Sequence, residues 1–280
     1  MKKILLSTLL FFNLSAYSAF VTPNELADSM SSNNKLIILD VSQREIYKLS
    51  HIKHAIHVDT KKIYSKELQD ELRELGINTD STVVIYSRNT KNSILNSSYL
   101  AFTLIRNGFE NVSLLDGGYM AWVFEHMLKT SSKQFYAPQR GNITLNDSNL
   151  TVGKEFMQKS LLNINILDAR TANEYYGLIK SQNIQALGHI PTAQSSYYEN
   201  KFLSDNRLRD TGEIEEIYIK GYELKKDKTT VVYANTMLEA SMEWFILYKY
   251  LNLKNTKIYE GSFIEWGNDS NLTTTRFKWE

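Results

Sequence analysis

Short, mostly apolar runs recur along the chain and are separated by segments whose apolar positions repeat at helical spacing. Such runs are typical of strands buried on both faces of a parallel sheet. The pattern predicts strands at residues 36–39, 83–86, 112–115, 164–167, 230–233 and 257–259. It predicts helices at residues 65–75, closed by Gly76, and at residues 97–105 and 240–251. Strands and helices that alternate through short connections indicate an α/β fold, an open parallel sheet with helices on both faces.

Four segments of the first half recur in the same order in the second half, at offsets between 128 and 147 residues. They pair residues 37–41 with 165–169, 50–55 with 188–193, 82–87 with 229–234, and 115–122 with 259–266. Ordered repetition of this kind indicates a duplicated structural unit. We therefore expect one domain at residues 20–135, a linker at residues 136–149 with a short strand near Ile143, and a second domain at residues 150–280.

Residues 1–19 have the pattern of a secretory signal peptide. Two lysines precede an apolar run at residues 4–14, and small residues follow it. The run is shorter than the ~20 residues that a membrane-spanning helix needs, and no later segment is long and apolar enough to span. We expect cleavage after Ser18 or after Ala19, and a mature protein in a bacterial periplasm or otherwise exported. The alternative interpretation is a buried N-terminal helix.

Charge and cysteine content narrow the function classes. Loss of the two signal lysines lowers the formal charge from +1 to −1, which gives no electrostatic case for binding nucleic acid or an anionic membrane. The sequence contains no cysteine. Disulfides, thiolate metal sites and cysteine nucleophiles are therefore excluded together. We expect no cofactor and no metal ion.

The loop after the strand at residues 230–233 is the candidate binding site. In open parallel sheets, ligands bind where the carboxyl ends of strands meet the loops that lead into helices. Successive backbone N–H groups that curl into a helix N-terminus can cradle an anion. A thiol at the first loop position would have a lowered pKa and act as a nucleophile. The loop comprises Ala234, Asn235, Thr236, Met237, Leu238 and Glu239.

Residues 167–170 (LDAR), 174–175 (EY) and 188–193 (GHIPTA) resemble the N-terminal signature of the rhodanese family, and residues 260–266 (EGSFIEW) resemble its C-terminal signature. The chain thus resembles a tandem rhodanese, from the family of thiosulfate and 3-mercaptopyruvate sulfurtransferases, over nearly all of its mature length. The resemblance implies two rhodanese-like domains. It also implies a reaction in which a loop cysteine of the second domain takes up sulfane sulfur as a persulfide and passes it to a thiophilic acceptor.

The sequence departs from the family at the positions that the resemblance marks as functional. The position of the loop cysteine is Ala234, and the matching position of the first copy is Ser87; neither side chain can carry a persulfide. Met237 stands where the family commonly has glycine. Glu239 stands where members often have threonine or arginine, and its charge disfavours an anionic substrate. Glu174 stands where the thiosulfate and mercaptopyruvate enzymes tend to have a substrate-binding arginine.

Two further groups of polar residues have competing interpretations. Asp168 and Arg170 follow a strand end, where a catalytic acid would lie. We favour a supporting role, in which Asp168 accepts hydrogen bonds from the loop backbone and Arg170 pairs with an acid such as Glu174. His51 and His189 recur within the same turn in both copies, so we interpret them as packing histidines and not as metal ligands.

The sequence therefore predicts an exported tandem rhodanese that is inactive in sulfur transfer and serves as a binding or partner-recognition module. Its partner would be a small anion or a periplasmic protein. Two alternatives stay open. In one, Ala234 replaces an original cysteine by engineering, and the natural protein is an active sulfurtransferase. In the other, a different enzyme uses the cleft between the domains, although we favour packing roles for the tyrosines at residues 197–198 that would line it.

Overall fold

A computed structural model describes residues 18–63, 67–88, 91–127 and 130–278, so the predicted signal peptide lies outside the described residues except for Ser18 and Ala19. The strands of the first half are β1 (Phe20–Val21), β2 (Leu36–Asp40), β3 (His51–Ile52), β4 (Ile56–His57), β5 (Thr82–Tyr86), β6 (Val112–Leu115) and β7 (Thr130–Ser131). Five of them form a parallel sheet in the order β1-β6-β5-β2-β4, and β3 pairs with β7 in an antiparallel ribbon.

The second half builds the same sheet again. Its strands are β8 (Thr151–Val152), β9 (Asn165–Asp168), β10 (Gln194–Ser195), β11 (Thr230–Tyr233) and β12 (Thr256–Tyr259). All pairings are parallel, in the order β8-β12-β11-β9-β10. Position by position, this is the order of the first sheet, so the predicted duplication and the predicted α/β fold class are confirmed.

Helices flank both sheets. Those of the first half are α1 (Pro23–Ser32), α2 (Arg44–Leu49), α3 (Thr60–Ile63), α4 (Leu68–Glu74), α5 (Lys91–Arg106) and α6 (Gly118–His126). Those of the second half are α7 (Lys154–Ser160), α8 (Ala172–Tyr175), α9 (Thr211–Glu216), α10 (Met237–Phe245) and α11 (Ser262–Trp266). Within the described ranges, no helix is long and apolar enough to cross a bilayer.

Two helices begin earlier than the sequence pattern predicts. Helix α5 begins at Lys91 and not at residue 97, because the asparagines and serines of its first turns hide the apolar periodicity. Helix α10 begins at Met237 and not at Ala240: Thr236, with φ −139° and ψ 166°, is still extended, and Met237 is the first helical residue. Helix α10 then continues into a π-helical turn, Ile246–Tyr250. The early start of α10 shortens the candidate loop to three residues.

The two halves pack through α5 and α10. The hydroxyl oxygens of Ser98 and Ser241 lie 2.7 Å apart where the helices cross, and both residues are fully buried. The rings of Phe102 and Trp244 meet edge to face, with their centroids 4.8 Å apart. One apolar cluster runs through this contact from the first sheet into the second. Small residues at the crossing allow the close approach, and the aromatic pair fills the space beside it.

The linker packs against the first half without forming the strand predicted near Ile143. Residues 132–150 contain no helix or strand. The side chain of Ile143 is fully buried, and its carbonyl accepts a hydrogen bond from Arg73 Nε at 2.9 Å, so the backbone pairs with a side chain and not with a sheet. A Cβ at Gly141 would lie 2.0 Å from the carbonyl oxygen of Ile77. Glycine is therefore required for this approach.

Candidate functional site

The candidate loop lies at the carboxyl end of β11, as predicted, but only Ala234, Asn235 and Thr236 form it. Ala234 has no exposed surface, and its carbonyl accepts a hydrogen bond from the N–H of Phe263 at 2.8 Å. Asn235 is also buried, whereas Thr236 is exposed. The prediction of a six-residue loop is wrong, because the last three positions already belong to the first turn of α10.

The anion cradle is occupied by a carboxylate of the chain itself. The backbone N–H of Asn235 donates a hydrogen bond to Glu239 Oε2 at 3.1 Å. The first turn of α10 has unpaired N–H groups and the positive end of the helix dipole, and both favour a negative charge there. Met237 and Leu238 pack instead against the apolar cluster between the halves. Glu239, and not Met237, is therefore the residue that fills the cradle.

Glu174 forms the opposite wall of this site. Its Oε1 accepts hydrogen bonds from the side-chain amide of Asn235 at 2.8 Å and from the hydroxyl of Ser181 at 2.7 Å. Its Oε2 accepts from the hydroxyl of Thr171, the residue that caps α8. Burial acts to raise the pKa of Glu174, but the hydrogen bonds together hold it below its ordinary value. Glu174 is therefore held as an anion beside the loop.

Arg170 pairs with Asp168 and not with Glu174, which corrects the expected ion pair. Arg170 Nη2 lies 2.6 Å from Asp168 Oδ2, and both side chains are buried. Asp168 also accepts from the N–H of Arg170 at 3.0 Å and from the hydroxyl of Tyr233 at 2.6 Å. Burial acts to lower the pKa of Arg170, but the adjacent Asp168 carboxylate raises it above the usual value. The pair fixes the ends of β9 and β11, as a supporting role requires.

The paired histidines stack on tyrosines in both copies. The ring of His51 lies over Tyr47 at a centroid distance of 3.9 Å, and the ring of His189 lies over Tyr175 at 3.8 Å. In each pair, the histidine Nδ1 lies 2.8 Å from the carbonyl oxygen of the same tyrosine. The interpretation of both as packing histidines is confirmed. In the described part of the chain, no group of three or more histidine, aspartate or glutamate side chains is arranged to hold a metal ion.

A cavity of about 110 Å³ brings several of the predicted residues together. Arg170, Asn235 and Glu239 line it with Glu174, and the first half contributes Leu95 from α5. Ala234 belongs to the apolar cluster and does not line this cavity. Ser87, the equivalent residue of the first copy, does not line the small cavity but a larger one.

Some residues of this site were not predicted from the sequence. Tyr197 and Tyr198 line the cavity, although we favoured packing roles for them. The spacing of Thr171 and Glu174 is that of a capping box, which would have placed Glu174 at the third position of a helix. No sequence signal places Leu95 here, because it comes from the other half of the molecule.

A family model described as the rhodanese-like domain matches residues 22–125 and residues 153–269. The sulfur carrier protein TtuD of Thermus thermophilus is 26% identical over 256 residues, which cover 84% of this chain and 88% of that protein.

Two solved structures are similar in fold. A crystal structure of YnjE superposes with a TM-score of 0.81 at 20% identity, over 93% of this chain and 68% of that one. An anaerobic ergothioneine biosynthesis enzyme from Chlorobium limicola, solved in complex with its natural substrate trimethyl histidine, has a TM-score of 0.78 at 24% identity, over 94% and 71%. At these identities, the likeness shows the fold alone.

Proposed function

This chain belongs to the rhodanese-like family, and we propose that it is an exported tandem rhodanese that binds a ligand or a protein partner without transferring sulfur itself. The observation that carries the proposal is the hydrogen bond from the Asn235 N–H to the Glu239 carboxylate, next to Ala234 in the nucleophile position.

The nucleophile position supports the loss of transfer chemistry. A persulfide intermediate needs a thiolate, and its formation breaks the bond between the sulfane sulfur and its donor while a new sulfur–sulfur bond forms. Ala234 offers only a methyl group, and its side chain is buried in the apolar cluster. No cysteine elsewhere in the sequence can substitute for it.

The charge of the small cavity supports a change of ligand. Glu239 occupies the N–H group that would bind an anionic sulfur donor, and Glu174 places a second carboxylate on the opposite wall. Arg170 also lines the cavity, but its charge is balanced by Asp168. A thiosulfate anion would therefore meet two like charges in a partly dehydrated space, where repulsion is stronger than in water.

The name of a similar protein supports a protein partner. The pattern of the N-terminal residues supports export. TtuD, one of the similar proteins, is named a sulfur carrier protein. The basic residues followed by an apolar run at residues 4–14 are typical of a secretory signal peptide. We propose a periplasmic protein as the partner.

The decisive experiment is a sulfur-transfer assay, with thiosulfate or 3-mercaptopyruvate as donor and cyanide as acceptor. We expect the natural protein to react at the rate of buffer, Ala234→Cys to gain little, and Ala234→Cys with Glu239→Thr to gain much more. Ser87→Cys is the matched control, because it places a thiol at the equivalent position of the other copy. Turnover by the natural protein well above buffer would contradict the proposal.

The binding role has its own test. The protein is isolated from the periplasm of its host, and its mass under native conditions is compared with its mass under denaturing conditions by mass spectrometry. We expect an additional mass that is present only under native conditions and is lost in Leu95→Trp, which fills the small cavity. A protein that shows its bare mass under both conditions, with no partner after chemical cross-linking in the periplasm, would contradict the binding role. Sequencing of the native gene at codon 234 decides whether the alanine is natural.

A further inference from the structure

A second cavity, of about 420 Å³, lies between the two halves at the carboxyl ends of β5 and β6. Ser87 and Asp116 line it from the first sheet, and the segment from Tyr198 to Asn206 lines it from the second half. Its volume is in the range of sites for small molecules, and the carboxyl ends of parallel strands are where such sites form. Tyr198 is in the wall of both cavities, but neither Ala234 nor Glu239 lines this one.

Among the residues that the structure describes, the charged residues in the wall of this cavity are Asp116 and Glu199, and both are acidic. Burial raises the pKa of Asp116, although the N–H of Leu208 donates a hydrogen bond to its Oδ1 at 2.8 Å and the charge of Arg207 acts in the opposite direction. The nearby Arg207 forms ion pairs with Glu125 and Asp205, neither of which lines the cavity.

Aromatic rings form the apolar part of the wall. Phe20, Tyr198 and Phe202 line the cavity together. Phe202 meets each of the other two edge to face, with centroids 6.2 Å from Phe20 and 6.4 Å from Tyr198. Aromatic faces attract organic cations, and a wall of rings with a few carboxylates is the composition that binds alkylammonium groups.

Ser87 adds a hydroxyl residue to the wall at the carboxyl end of β5. It is 4% exposed, and its carbonyl accepts the N–H of Tyr119 at 3.0 Å. A ligand with a hydroxyl or another polar group would find a hydrogen-bond partner in the Ser87 side chain.

We propose that the cavity between β5, β6 and the segment from Tyr198 to Asn206 binds a small organic cation, an ammonium compound that also carries a polar group. The cation would lie between the carboxylates of Asp116 and Glu199 and against the aromatic rings, and its polar group would reach Ser87. The proposal does not rest on the proposed function of the Ala234 loop, since the two sites share no charged residue.

The test compares three probes by calorimetry on the whole mature protein. Choline carries both the charge and the hydroxyl, tetramethylammonium lacks the hydroxyl, and 3,3-dimethyl-1-butanol has the shape of choline without the charge. We expect choline to bind about tenfold more tightly than its uncharged counterpart. Equal affinity of these two probes, or no binding of choline at millimolar concentration, would overturn the proposal.

Variants locate the site. Glu199→Gln and Asp116→Asn keep the shape of the side chains and should each weaken choline binding by about fivefold. Glu155→Gln, which removes an exposed charge on α7 outside the cavity, is the control. Ser87→Ala should weaken choline but leave tetramethylammonium unchanged. Circular dichroism establishes that each variant is folded, and choline binding that survives both carboxylate changes would show that the cation lies elsewhere.

Discussion

The backbone N–H of Asn235 donates a 3.1 Å hydrogen bond to the carboxylate of Glu239 at the N-terminus of α10. In this family that turn surrounds the sulfur-carrying position, and here a side chain of the protein occupies it. The turn is therefore still an anion site, but its anion is internal. An external anion has to displace Glu239 and to approach Glu174 as well.

Removal of the Glu239 charge should open the loop to external anions. We expect Glu239→Thr to bind thiosulfate about tenfold more tightly than the natural protein, because the freed N–H of Asn235 and the helix dipole then act on the ligand. Isothermal titration calorimetry measures both affinities. Glu213→Thr, a change of an acid in the first turn of α9, is the control and should have no effect. Equal thiosulfate affinity of Glu239→Thr and the natural protein would show that Glu239 does not block the cradle.

A buried ion pair between Lys201 and Glu243 of α10 should dominate the stability of the second half. Lys201 and Glu243 are both fully buried; Lys201 Nζ lies 3.3 Å from Glu243 Oε1, and Tyr218 donates to the same oxygen at 2.7 Å. We expect Lys201→Met to lower the free energy of unfolding by about 3–5 kcal/mol, because it leaves a buried charge without its partner.

Urea denaturation measures this loss, with Lys220→Met as the control. Lys220 forms an exposed pair with Glu216, so its removal should cost less than about 1 kcal/mol. Lys201→Met combined with Glu243→Leu removes both charges and should recover much of the stability. A double variant no more stable than Lys201→Met alone would show that the hydrogen bonds of Glu243, and not the charge balance, hold this region.

The sequence predicted the central strands well and the site only in part. Strands such as β11 are buried on both faces, so their apolar residues stand together in the sequence and mark both the strand and the loop after it. The contact between Asn235 and Glu239 depends on where α10 begins, and the pattern placed that start at Ala240. Local patterns leave helix boundaries uncertain by several residues, and here three residues decide whether Glu239 can reach the loop.

The ion-pair and hydrogen-bond partners of side chains were less predictable than the helices and strands. Arg170 has two acids within four residues, and proximity in sequence did not distinguish Asp168 from Glu174 as its partner. In the structure, the carboxylate of Glu174 accepts hydrogen bonds from Thr171, which caps α8, and from Asn235. Asp168 is therefore the partner of Arg170. The pair of Lys201 and Glu243 joins a 3₁₀ turn, Tyr198–Lys201, to α10. Only the tertiary fold brings these two residues together, and no local sequence pattern marks them.

The lowered pKa of Glu174 should make the second half sensitive to acid. A carboxyl group whose pKa is lower in the folded than in the unfolded protein stabilises the fold above the unfolded value of about 4.3. This stabilisation is lost as the pH falls through the folded value. We therefore expect the natural protein to lose more stability than Glu174→Gln between pH values of about 5 and 3.

Urea unfolding at both pH values tests this, with Glu155→Gln as a control that removes an exposed carboxylate. The control should follow the natural protein. If Glu174→Gln loses as much stability as the natural protein between the two pH values, the hydrogen bonds from Asn235 and Ser181 do not favour the charged form of Glu174.

Cleavage of the precursor should leave the first strand of the sheet intact. The carbonyl of Ala19 accepts a hydrogen bond from the N–H of Leu114 at 2.9 Å, and Phe20 packs edge to face on Phe245 with centroids 5.5 Å apart. We expect the protein recovered from the periplasm to begin at Ala19 or at Phe20, as intact mass spectrometry would show. Ala16→Arg should abolish a cut after Ser18, because a small residue is required three positions before the cut, whereas Thr22→Arg, beyond the cut, should not. A periplasmic protein that retains residues 1–18, or a mature chain that lacks Phe20, would contradict the proposed signal peptide and its boundary.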